Sequence, residues 1–74
     1  MKLKWHKHPE NQSHVHLWAK GDNAEFRIVK QFRNQRHATY TLHAKIRDQI
    51  PMSYGIMRLL RDAKQRAQEI EDQQ

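Results

Sequence analysis

Apolar and polar residues alternate at a period of two over residues 2–46 of this chain, and from Ile56 onward the apolar ones recur at every third or fourth position. A period of two marks strands with one covered face, and a period near 3.6 marks a helix with one covered stripe. A chain patterned this way folds as a sheet followed by a helix, each supplying the apolar surface the other needs.

The alternation falls into four stretches bounded by turn residues. Leu3 and Trp5 alternate with Lys2, Lys4, His6 and His8 until residues 9–13 interrupt them. Val15, Leu17 and Ala19 alternate with His14, His16, Trp18 and Lys20, and Gly21, Asp22 and Asn23 then supply residues that tolerate positive φ, as a tight hairpin requires. Phe26, Ile28 and Phe32 alternate with Glu25, Arg27, Val29 and Gln31. Lys30 falls on the apolar side, as expected near a strand end or bulge. Beyond the polar turn 33–36, Ala38, Tyr40, Leu42, Ala44 and Ile46 face one way and His37, Thr39, Thr41, His43 and Lys45 the other. Short turns between successive strands predict an antiparallel meander of three to four strands.

Residues 47–55, with Pro51 and Gly55, read as a crossover. The stripe Ile56, Leu59, Leu60, Ala63, Ala67 and Ile70 then predicts an amphipathic helix over about residues 56–72 with Ser53 as its N-cap. Its bases (Arg58, Arg61, Lys64, Arg66) come early and its acids (Glu69, Glu71, Asp72) late, the reverse of what the helix dipole favours. Either the early turns lie beside an anion or partner, or the charges are satisfied within the fold. The expected fold is α+β, a ββββα arrangement forming one domain over residues 1–74, with the sheet at about 2–46.

Seventy-four residues without a cysteine allow one small core and no disulfide. A domain of this size buries only about 60% of the surface its unfolded chain exposes, so further stability must come from packing, self-association or a partner. A possible homodimer belongs among the expectations. The absence of cysteine, of a membrane-length apolar run and of an apolar leader is expected of a cytoplasmic protein with no membrane partner.

The charge of +6 is unevenly spread. Residues 1–50 hold ten Lys or Arg against four acids, while 51–74 balance at four of each. The face turned away from the helix is predicted to carry Lys2, Lys4, His6, His8, His14, His16, Trp18, Lys20, Arg27, Val29, Gln31, His37, Thr39, Thr41, His43 and Lys45, with Glu25 its one acid. Cations around an aromatic suit phosphate neutralisation combined with base stacking, so DNA or RNA is the expected partner and an acidic protein surface the alternative. Lys2, Lys4, Trp18, Lys20, Arg27 and Lys45 are the candidate contacts, with Arg33 and Arg36 on the rim. Net charge that only aids solubility, and a Trp18 that shields an edge or a dimer contact, are the plain alternatives.

A symmetric hairpin about residues 9–13 would set His8 opposite His14 and His6 opposite His16, four imidazoles within reach of Zn²⁺ or another transition metal. No established spacing signature supports such a site, and otherwise no cofactor is expected. The same histidines would also make the patch pH-sensitive. Ser13 and Ser53 belong to no nucleophile motif, no carboxylate pair marks a cleft and the two glycines form no phosphate loop, which argues against an enzyme. Placement of Trp18 and Arg27 beneath the helix, or of the histidines on opposite surfaces, would defeat this functional reading.

The segments Trp18-Ala19-Lys20-Gly21, Glu25-Phe26-Arg27-Ile28-Val29, Tyr40-Thr41-Leu42 and Asp62-Ala63-Lys64-Gln65-Arg66-Ala67 resemble small sheet-plus-helix proteins of phages and prophages. That resemblance implies a protein-interaction module that binds or inhibits a host enzyme. In architecture the chain is similar to integrase arm-binding and AP2-type DNA-binding domains, which place a sheet in the major groove with a helix behind it. Those have three core strands against the four read here, and no binding residue transfers from them.

Overall fold

The computed structural model describes residues 2–7, 15–32 and 37–74, with Val15 and Phe32 described by their backbone. The described residues form five strands, β1 (His6–Lys7), β2 (Val15–Lys20), β3 (Ala24–Phe32), β4 (Ala38–Ile46) and β5 (Met52–Met57), followed by one helix, α1 (Leu60–Asp72). The strands lie in chain order in a single antiparallel sheet.

Side-chain parity sorts the sheet as the alternation predicts. Leu3, Ala19, Ala24, Phe26, Ile28, Leu42, Ala44 and Ile46 meet Ala63, Ala67 and Ile70 of α1 in one core, with Trp5, Tyr40, Tyr54, Met57 and Leu60 packed around it, and Leu17 is also buried. Phe26, Ile28 and Leu42 are fully buried, each worth roughly 1.5–3 kcal/mol relative to an exposed side chain. The alanines at the centre of α1 let the helix approach the sheet closely. Its end is held by polar contacts, the Leu3 N–H donating to Gln68 Oε1 at 2.8 Å and the Asn23 N–H to Glu71 Oε1 at 2.9 Å.

The expected crossover is in part a fifth strand. Thr41 pairs with Ile56 and His43 with Ser53, so one residue of β4 faces two of β5, and the extra residue makes a bulge at Tyr54–Gly55. Gly55 takes φ of 120°, which strongly favours glycine. The bulge breaks the alternation, which hides the strand in the sequence. Ser53 therefore lies in β5 and not at a helix start. The N-cap is Leu59, with no side-chain cap, and the helix begins at Leu60, so Ile56 and Leu59 stay about half exposed instead of joining its buried stripe.

The β2–β3 connection also differs from expectation. No positive φ occurs at residues 21–23; the Gly21 N–H donates to the Ala24 carbonyl at 2.8 Å to close the turn. What glycine at position 21 provides is room, because a Cβ there would collide with the Glu71 carboxylate unless that side chain shifted.

Candidate nucleic-acid interface

The face away from α1 is built from cross-strand rows. His6 pairs with Trp18, Trp18 with Arg27, Arg27 with His43 and His43 with Ser53, giving one row across all five strands. Direct partners in an antiparallel sheet share a face, so Trp18 and Arg27 lie together on the surface the helix leaves bare. The His6 and Trp18 rings stack with centroids 4.8 Å apart and planes tilted by 33°. Trp18 is half-buried and Arg27 exposed.

A second row runs Lys20, Glu25, Lys45. Glu25, the one acid among the described residues of this face, thus stands in register between two lysines, where opposite charges on neighbouring strands attract. Between the two rows and the turn at Pro51 lies a hollow of about 250 Å³, lined chiefly by Glu25, Arg27, Val29, His43 and Lys45. A shallower one of about 170 Å³ adjoins it, with Lys20, Asn23, Lys45 and Arg47 on its walls. Arg47 was not among the residues expected from sequence. It sits in a turn with φ of 50°, its N–H donating to the Asn23 carbonyl at 3.0 Å and its Nη2 to Asn23 Oδ1 at 3.3 Å. Its place two residues beyond Lys45 was the available signal.

Lys2 and Lys4 are exposed, at positions that alternate with Leu3 and Trp5 of the core. Arg33, Arg36, His8 and His14 lie outside the described residues. The expected pairing of His6 with His16 does not occur, since His6 faces Trp18. His16 also leaves that face, because of a bulge in β2: Val15 pairs with Val29 and Leu17 with Ile28, so two steps on β2 answer one on β3. Val15 therefore pairs in register with a residue of the bare face, and not with the apolar set in which the alternation places it. His16 turns to the helix side, its ring centroid 6.0 Å from that of Tyr40. Burial, then the charges of Lys30, Lys7 and Lys64, lowers its pKa from 6.5. Lys30 is also on this side, its Nζ 5.9 Å from the centre of the Tyr40 ring. The extra residue lies on the strand beside Lys30, not on β3 itself.

His6 and His16 thus occupy opposite surfaces, and the four-imidazole arrangement expected on one face fails. Among the described residues no group of three His, Cys, Asp or Glu side chains is placed to hold a metal ion. The reading that required the imidazoles and the cations to emerge from one surface therefore fails as stated, and what remains of it is the placement of Trp18 and Arg27 together on the bare face. No helix among the described residues is long and apolar enough to cross a membrane.

No family model matches the chain, and neither a curated protein nor a solved structure matches it.

Proposed function

We propose that this protein binds nucleic acid through the helix-free face of its sheet. The observation that carries the reading is the row His6, Trp18, Arg27, His43, with Lys20 and Lys45 on either side of the sole acid of those strands. Lys4, Lys20, Arg27 and Lys45 neutralise phosphates, and Lys2 and Arg47 extend the positive edge. The His6–Trp18 stack supplies an aromatic platform beside them. Arg33 and Arg36 remain rim candidates from sequence. The histidine cluster is no part of this reading, and no catalytic step is assigned to the face.

Fluorescence anisotropy with single-stranded and duplex DNA and RNA oligonucleotides, repeated over a range of salt concentrations, tests it. Log K should fall linearly with log salt, and Arg27→Ala, Lys20→Ala and Lys45→Ala should each reduce the magnitude of that slope by roughly one or less. Absence of binding to every oligonucleotide at low ionic strength would overturn the proposal.

A further inference from the structure

The large apolar side chains that stay exposed among the described residues are Ile50, Met52, Ile56 and Leu59. All four lie in β5 or within two residues of its ends. They do not share one face. Ile56 stands opposite Thr41 on the helix-free side and Met52 opposite Ala44 on the helix side, while Ile50 and Leu59 flank the strand. What unites them is the edge of the sheet, where β5 pairs with β4 and with no second strand among the described residues.

Edge strands of soluble proteins are usually guarded by charges, especially lysine, against pairing with another chain. Met52–Met57 contains no charged residue, in a chain of which 30% is charged. The geometry points to a second copy of this chain as the occupant: we infer that two copies associate edge to edge through antiparallel pairing of β5 with β5.

The strand is self-complementary in this arrangement. A twofold axis through the Tyr54–Gly55 bulge interchanges the short segments on either side of it, setting Ser53 against Ile56 of the second copy and Met52 against Met57. Direct partners must share a face, and these do: Ser53 and Ile56 both answer helix-free positions of β4, and Met52 and Met57 both answer helix-side ones. Ile50 then comes beside Leu59 of the other copy. The flanks match in charge as well, since Asp48 precedes the strand and Arg58 follows it before the helix begins. Antiparallel pairing brings each acid near a base of the second copy. A domain too small to bury much of its own surface gains core area in this way.

Sedimentation equilibrium over a concentration series, from micromolar to millimolar, measures the association. The wild-type chain should show a monomer–dimer equilibrium. Met52→Lys and Ile56→Lys should each raise the dimer dissociation constant by roughly tenfold or more, with the far-ultraviolet circular dichroism of the dilute monomer unchanged. Because the chain lacks cysteine, Ser53→Cys with a short bismaleimide should yield covalent dimer and Lys4→Cys, at the opposite side of the sheet, should not. If a lysine variant fails to fold, the cross-linking comparison still decides. A chain monomeric at millimolar concentration, a dimer indifferent to both lysines, or cross-linking from Lys4→Cys in place of Ser53→Cys would each overturn the inference.

Discussion

The backbone N–H of Asn23, at the tip of the β2–β3 turn, donates to the carboxylate of Glu71 in the last turn of the helix, at 2.9 Å to Oε1 and 3.3 Å to Oε2. Glu71 is only 2% exposed, and Gly21 leaves the space its carboxylate fills. An acid near a helix C-terminus opposes the helix dipole, and this contact supplies a local compensation.

Replacing Glu71 by Ala strands that N–H and should cost about 1–3 kcal/mol, lowering Tm by roughly 4–8 °C for each kcal/mol in a domain of this size. Gly21→Ala should also destabilise, by collision with the carboxylate. In the double variant the collision is gone, so the two losses should fall short of additive in a denaturation cycle. Strict additivity would show that the two positions do not touch.

Glu25 restrains the proposed interface by standing between Lys20 and Lys45. Glu25→Gln should therefore tighten oligonucleotide binding several-fold at low salt, the gain shrinking as salt screens it. Weaker binding by this variant in the same anisotropy titration would assign Glu25 a direct contact instead.

His16 gives stability a pH dependence of defined sign. Its pKa is lowered in the folded state, so the unfolded chain holds more protons in the interval between that lowered value and 6.5. The stability at stake is fully present above 6.5 and is lost as pH falls through this interval, levelling off below it. Thermal melts should show Tm declining on acidification from above 6.5, and His16→Gln should flatten the decline. An NMR titration midpoint for His16 at or above 6.5 would contradict its placement among Lys7, Lys30 and Lys64.

The two backbone positions with positive φ should respond in opposite directions. Gly55→Ala forces a side chain into φ of 120° and should cost roughly 1–3 kcal/mol. Arg47→Gly relieves a non-glycine residue at φ of 50° by about 1 kcal/mol, less whatever its exposed hydrogen bond to Asn23 contributes. Chemical denaturation of the two variants measures both.

Much of the fold was legible because parity repeats. Once Phe26, Ile28, Leu42 and Ala44 were read as inward, the outward positions of Trp18, Arg27 and His43 followed. Two of the failures, at His16 and at β5, share one physical cause. A single extra residue inverts the parity of what lies on one side of it, and neither bulge has a sequence mark strong enough to announce it. At His16 the inversion dissolved the predicted histidine group; at Tyr54–Gly55 it concealed β5 and drew Ile56 and Leu59 into the supposed helix. Glu71 was legible only as an acid in the wrong place for a helix, since its partner lies 48 residues away in the chain.

The meander order of the strands also bears on how the chain folds as it is made. Where neighbours in space are neighbours in sequence, each hairpin closes a short loop, and loop-closure entropy stays low at every step. On the ribosome β3 and β4 can pair as soon as both emerge, presenting an edge that β5 then extends. The apolar side of that growing sheet waits uncovered until α1 is synthesised, and that interval is when a nascent chain is most open to capture by a chaperone or by another unfinished copy.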